Sequence, residues 1–459
     1  MYIQQIYTSC LAQAAYYIES EKEAMIIDPL RDPAPYIELA QQRGATIKYI
    51  GETHFHADFV SGHLDLAKST GATIVFGPEA TPHYIAHIAK DNEKLKLGKI
   101  AIEILHTPGH TIESTCFLAY DENFKPNALF SGDTLFAGDV GRPDLLSGNF
   151  DAVTLGGRLY DSIQNKILPL ADEIIVYPGH GAGSACGKNI GKETMTTMGE
   201  QRKKNYALQP MSKEQFVEIV TTGQPAPPQY FFGDAAINKE GASEFMKVIR
   251  DAMEFLSTFS FDALRAAGAT ILDTRAPKEF AKEHIPGSIN IGIDGDFAIW
   301  AGTLYPHGTA FILVTDAGRE KETITRLARI GYDNLSGILE GGINAWKQDG
   351  RAVASITTTT PANVDELLAT GEYKLIDVRR KGELDAYRLH GAQHLPLGLF
   401  PGALRNLDTT KKYIVCCAGG YRSMIACSIM KSIDIQNLVN LEGGVSQLVK
   451  EHSRLIETA

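Results

Sequence analysis

Short apolar runs alternate with helically spaced stretches through the first half of the chain. Residues 24–28 form an apolar run ending in Asp28 and predict a buried strand. Residues 36–44 carry helical spacing and end at a glycine. Residues 47–53 predict the next strand, 64–71 a helix and 73–76 a strand, and the alternation continues to a strand at 174–177. Such alternation predicts an α/β domain with helices packed on its sheets.

The texture then changes. Gln224-Pro225-Ala226-Pro227-Pro228 excludes helix and favours extended chain, and residues 244–256 predict a helical connector. Beyond Ser260 the chain repeats itself. Ile271-Leu272-Asp273-Thr274-Arg275 returns 104 residues later as Leu375-Ile376-Asp377-Val378-Arg379, and Leu339-Glu340-Gly341-Gly342 returns 102 residues later as Leu441-Glu442-Gly443-Gly444. A period near 100 is a duplicated domain. The expected layout is a first domain at 1–243, a helical linker at 244–259, and repeat domains at 260–352 and 361–459. Thr357-Thr358-Thr359-Thr360-Pro361 is the expected linker between the two copies.

With 44% hydrophobic and 22% charged residues in 459, the composition is globular and long enough for about three domains. A net charge of -11 without a basic run disfavours nucleic-acid and anionic-membrane partners. No signal-peptide pattern and no apolar run long enough to span a membrane are present. Six sparse cysteines, two of them adjacent, fit free thiols in a reducing compartment, so a cytoplasmic protein is expected.

Chemistry collects after the predicted strands. Thr53-His54-Phe55-His56-Ala57-Asp58 is followed by Thr107-Pro108-Gly109-His110, Ser131-Gly132-Asp133-Thr134 and Tyr177-Pro178-Gly179-His180. A lone histidine in a turn is usually only a cap; four ligand-bearing strand ends in order point to a metal. This order resembles the metallo-β-lactamase superfamily, which implies an αββα sandwich for the first domain. One position departs from the family pattern: Phe59 stands where a histidine of the second metal site is expected. A phenyl ring cannot ligate, so a single metal is favoured. Two histidines and a carboxylate with open positions suit non-haem Fe(II), with zinc as the alternative.

The stretches Gly132–Leu145 and Tyr177–Gly187 resemble the persulfide dioxygenase branch. That resemblance places one Fe(II) per chain on His54, His110 and Asp133. His56, Asp58 and His180 then become groups beside those ligands or members of a vestigial second site. Arg142 and Tyr177 are expected to contact the substrate, with a structural salt bridge as the competing reading for Arg142. Cys186 is a possible thiol near the metal, with a buried inert thiol as its alternative.

In the last domain Cys417-Ala418-Gly419-Gly420-Tyr421-Arg422-Ser423 lies between an apolar strand and a helical run. Loop N–H groups, a helix N-terminus and Arg422 would together stabilise negative sulfur. The loop resembles the rhodanese active loop, which implies an α/β rhodanese domain with Cys417 as its persulfide carrier. In the first copy Asp316 occupies the position of Cys417, so the middle domain should be an inert scaffold, dimer surface or spacer.

The whole order is similar to a persulfide dioxygenase–rhodanese fusion. The reaction implied is oxidation of a low-molecular-weight thiol persulfide by O2 to sulfite and thiol, with thiosulfate formed through Cys417. A homo-oligomer is expected. The alternatives are a glyoxalase II-like thioester hydrolase, which Phe59 opposes, and a persulfide carrier or sensor with a vestigial metal domain.

Overall fold

The computed structural model describes residues 1–145, 150–404, 407–451 and 453–458, so part of the 361–459 segment (405–406, 452 and 459) lies outside the described residues. The chain divides into two compact units. One is Met1–Val248 with Ala328–Gly331; the other is Ile249–Leu327 with the chain from Tyr332 onward.

Two six-stranded sheets form the first unit, each with its strands in chain order. Tyr2–Thr8, Gln13–Ser20 and Glu23–Ile27 pair antiparallel, then Thr46–Gly51, Thr73–Phe76 and His87–Ile88 continue in parallel. In the second sheet Lys94–Leu97, Ile100–His106, Thr115–Tyr120 and Pro126–Gly132 are antiparallel, with Ile175–Pro178 parallel to the last of them and Thr196–Thr197 at the edge.

Side chains on a strand alternate between faces, and both faces here are buried. Tyr16, Ile18, Met25 and Ile27 meet Ile102, Ile104, Phe117 and Phe130 between the sheets. On the outer face of the first sheet, Tyr17, Ile26 and Ile50 pack with Tyr36, Ala40 and Leu66 of the helices Ala34–Arg43 and His63–Thr70. On the outer face of the second, Leu118, Leu129 and Val176 pack with Leu159, Phe216 and Val220 of Ala152–Ser162 and Lys213–Thr221. The result is helix, sheet, sheet, helix.

The second unit holds two five-stranded parallel sheets of one topology. The first runs Phe255–Leu256, Leu335–Leu339, Phe311–Val314, Thr270–Asp273, Ile289–Asn290. The second runs Thr357–Thr359, Leu438–Leu441, Lys412–Cys416, Tyr373–Asp377, Gln393–His394. Two expectations need correction. The helical connector ends at Ala252, and Phe255–Leu256 is a strand paired with Leu335–Leu339. The supposed linker Thr357–Thr359 is likewise a strand, paired with Leu438–Leu441. Each copy of the repeat therefore begins one strand earlier than its motifs indicate. Among the described residues no helix is long and apolar enough to cross a membrane.

Candidate metal centre and thiol loop

His54, His110, Asp133 and His180 each follow the end of a strand: Thr46–Gly51, Ile100–His106, Pro126–Gly132 and Ile175–Pro178. All four are buried. His110 and His54 direct Nε2 at Asp133 Oδ2, at 3.5 and 3.9 Å. Hydrogen bonds on the far side of each ring fix its tautomer. His110 Nδ1 lies 2.8 Å from the Arg142 carbonyl oxygen, which can only accept, so Nδ1 carries the proton. Thr53 Oγ1 donates to Asp28 Oδ2 at 2.9 Å and so accepts from His54 Nδ1, also at 2.9 Å. Both Nε2 lone pairs are therefore left bare, as in metal sites whose outer hydrogen bonds orient the ligands.

His180 holds the carboxylate. Its Nδ1 meets Asp133 Oδ1 at 2.8 Å and its Nε2 meets Asp58 Oδ2 at 2.7 Å. Burial alone would lower the pKa of this imidazole, but the Asp133 and Asp58 carboxylates hold it well above its ordinary value. Burial lowers that of His54. Among the described residues, His54 Nε2 and Asp133 Oδ2 find no hydrogen-bond partner. Buried polar atoms are costly to leave unpaired, and ligand atoms each about 2.1 Å from one ion would stand roughly 3–4 Å apart. The His54–His110–Asp133 group fits one cation on both counts. Gly141 lets the chain close over it, since a Cβ there would lie 2.1 Å from the Asp133 carbonyl oxygen and 2.9 Å from His110 Nδ1.

The second histidine of the motif is turned elsewhere. His56 Nε2 lies 3.0 Å from Asp28 Oδ1 and 3.5 Å from Glu52 Oε2, and Phe59 stacks on its ring at 4.2 Å. Burial opposes its charge, yet Asp28 and Glu52 outweigh burial and raise its pKa to about 10. His63 Nδ1 reaches Glu52 Oε1 at 3.2 Å. Asp28, Glu52 and His63 are site-adjacent residues that the motifs miss; two carboxylates at the ends of predicted strands were the available signal.

Asp58, His180 and Cys186 place potential ligand atoms within 4.8 Å of one another. Burial pushes the Cys186 thiol well above its ordinary pKa, with Asp58 and Asp133 adding to it.

Two expected substrate contacts sit differently. Arg142 is buried, and its guanidinium is bonded to Asp144 in a two-pronged pair at 2.7 Å and to the Pro225 carbonyl oxygen at 2.6 Å. Those bonds occupy the fork that a bound carboxylate or phosphate would need, while its main chain orients His110. The Tyr177 ring packs against Phe130 and Tyr16 in the core between the sheets.

In the second unit, Cys417 follows the strand Lys412–Cys416, and Gly420, in the left-handed region at φ +97°, opens the helix Tyr421–Ser432. The Gly420 N–H donates to Cys417 Sγ at 3.1 Å, and Ser423 Oγ lies 3.6 Å from that sulfur. The Glu-Gly-Gly motif braces the loop from behind: Val445 and Ser446 N–H groups donate to the Cys417 and Ala418 carbonyls at 2.8 and 2.9 Å. A Cβ at Gly444 would stand 2.1 Å from the Cys417 oxygen, so only glycine allows that approach. Arg422 makes a two-pronged pair with Glu383 at 2.6 and 2.7 Å, a partner not anticipated from the sequence. The Asp-x-Arg motifs are internal clamps, with Asp273–Arg275 and Asp377–Arg379 both at 2.6 Å. The strand pairing corrects one expected equivalence: Val314 pairs with Asp273 as Cys416 pairs with Asp377, so Thr315, not Asp316, stands in the place of Cys417, and the first copy has no thiol there.

Comparisons agree with this division. A model of the metallo-beta-lactamase superfamily matches residues 8–180, and a rhodanese-like domain model matches 260–349 and 360–451. A probable hydroxyacylglutathione hydrolase of Schizosaccharomyces pombe is 30% identical over 165 residues, 35% of this chain and 60% of that protein. The human mitochondrial persulfide dioxygenase ETHE1 is 30% identical over 214 residues, 46% of this chain and 76% of that protein. A crystal structure of a metallo-beta-lactamase from Staphylococcus aureus covers 74% of this chain and 98% of its own, at 34% identity and a TM-score of 0.66.

Proposed function

We propose, from the premise that this chain belongs to the metallo-beta-lactamase superfamily and carries two rhodanese-like domains behind that domain, that it oxidises a low-molecular-weight thiol persulfide and passes sulfane sulfur through Cys417. The observation that carries the reading is a trio of buried ligand atoms converging on one point, with Phe59 occupying the place of a further ligand.

His54, His110 and Asp133 would hold a single Fe(II). When bound, the iron supplies the redox chemistry by which O2 oxidises a persulfide sulfur. The chain's own groups keep that centre in order. Thr53 and the Arg142 carbonyl hold the two imidazoles in the ligating tautomer, and His180 keeps Asp133 Oδ2 aimed at them. The balanced reaction is RSSH, O2 and water giving RSH, sulfite and two protons. In the last domain the Cys417 thiolate attacks the sulfane sulfur of a second RSSH, releasing RSH and leaving a cysteine persulfide. The Gly420 N–H lies against the sulfur that carries the charge. Sulfite then attacks the terminal sulfur, giving thiosulfate and free Cys417. Two sites on one chain raise the effective concentration of the shared sulfite.

The hydrolase relatives favour a second reading, thioester hydrolysis, which Phe59 opposes by removing a ligand that a two-metal centre needs. One experiment separates them: O2 uptake by the iron-loaded chain on adding glutathione persulfide, with sulfite and thiosulfate assayed at the end. Rapid uptake with thiosulfate as main product is expected. No uptake at full iron occupancy, together with cleavage of a glutathione thioester, would replace the oxygenase with the hydrolase.

A further inference from the structure

The middle repeat has lost its thiol, yet it is bonded along the helix that begins at the sulfur site. Tyr421, Ser428 and Lys431, spaced seven and three residues apart, lie on one helix face. Tyr421 Oη donates to the Gly292 carbonyl at 2.7 Å, the Asn290 N–H donates to Ser428 Oγ at 3.0 Å, and Lys431 Nζ donates to the Ser355 carbonyl at 2.6 Å. The Tyr421 ring lies so close to Gly295 that a Cβ there would stand 2.4 Å from Cζ and 2.6 Å from Cε2. The segment carrying Gly292 and Gly295 is itself pinned. The buried Arg326 donates to the carbonyls of Ile293 and Gly295, and Arg319 pairs with Asp294 at 2.7 Å.

We propose that the middle domain is a positioning element of the sulfur-transfer site, in which the 292–296 segment seats Tyr421 and thereby sets the Gly420 N–H against Cys417 Sγ. The chain of contact is short. Arg326 fixes Gly295, Gly295 bounds the Tyr421 ring, and Tyr421 follows directly on Gly420, whose N–H reaches the sulfur at 3.1 Å. The middle domain thus contributes the Gly292 carbonyl and the absent Cβ of Gly295 rather than a thiol. The inference rests on reading Cys417 as the sulfur carrier.

The test is a double-mutant cycle in the full-length chain with Gly295→Ala, Tyr421→Ala and both together, read by sulfur transfer from thiosulfate to cyanide and by the alkylation rate of Cys417 with iodoacetamide. Because misplacing a reacting group by about 1 Å can cost about 100-fold, Gly295→Ala should lower kcat by roughly tenfold or more, with KM for thiosulfate changed much less. If the effect passes through Tyr421, adding Gly295→Ala to Tyr421→Ala costs nothing further. Multiplied losses in the double variant, or a Gly295→Ala enzyme with wild-type kcat and alkylation rate, would overturn the proposal. Tyr421→Phe, which keeps the ring and loses the bond to Gly292, serves where Tyr421→Ala disturbs folding, and it should also lower kcat. Failure of the carrier reading looks different: the unmodified chain would transfer no sulfur and show no persulfide on Cys417. The alkylation arm reads the seating of Cys417 without a sulfur donor, so equal rates in all variants count against positioning in either case.

Discussion

Phe59 is a fully buried phenyl ring that stacks on His56, whose imidazole faces Asp28 and Glu52 rather than the His54–His110–Asp133 group. The imidazole is held by Asp28 and Glu52, and removing one member of such a buried charged group typically costs about 3–5 kcal/mol. Recruiting His56 to a metal would break that arrangement, whereas Asp58 and His180 already stand together. Replacing the phenyl with an imidazole should therefore rebuild the second metal site without His56. Phe59→His is expected to raise metal content from about one towards two ions per chain after reconstitution with zinc, measured by inductively coupled plasma mass spectrometry. A stoichiometry that stays at one would show that another feature limits the centre. At this scale the sequence was informative about residue types and poor about partners. His54, His110 and Asp133 converge as their motifs suggest, but motifs do not state what a long side chain bonds to. Arg142 in its ion pair with Asp144, and Arg422 in its pair with Glu383, depend on contacts that only the folded chain defines.

At the scale of elements, apolar runs with clear periodicity were legible, including Thr73–Phe76 and the helix His63–Thr70. The elements that escaped have identifiable reasons. Gln13–Ser20 is buried on both faces, so its sequence lacks the alternation of a half-buried strand. Phe255–Leu256 and Thr357–Thr359 are two and three residues long, and their strand character comes from parallel pairing with distant segments. Local sequence contains no signal for such pairing. The 102-residue spacing between Phe255 and Thr357 was nevertheless available once the repeat was known, and it would have extended each copy by one strand.

At the scale of the whole chain, the candidate metal-ligating group lies in the first compact unit and the thiol loop in the second. Their chemistry should be separable. Cys417→Ser is expected to abolish thiosulfate formation while persulfide-dependent O2 uptake and sulfite release persist, as followed with an oxygen electrode and ion chromatography. Asp133→Ala should do the opposite, losing bound iron and O2 uptake but keeping sulfur transfer from thiosulfate to cyanide. Loss of both activities in the Cys417 variant, with iron retained, would mean that the sites are coupled.

The short strand Thr357–Thr359 also decides where the last domain can be excised. A fragment starting at Pro361 keeps the thiol loop and the Glu-Gly-Gly brace, yet leaves the backbone of Leu438–Leu441 without its neighbour. An open, apolar sheet edge invites pairing with another chain. Such a fragment should self-associate in size-exclusion chromatography, while one that retains Thr357–Thr359 should elute as a smaller species. The seam of the ancestral duplication runs ahead of that strand, in the few residues that precede Thr357.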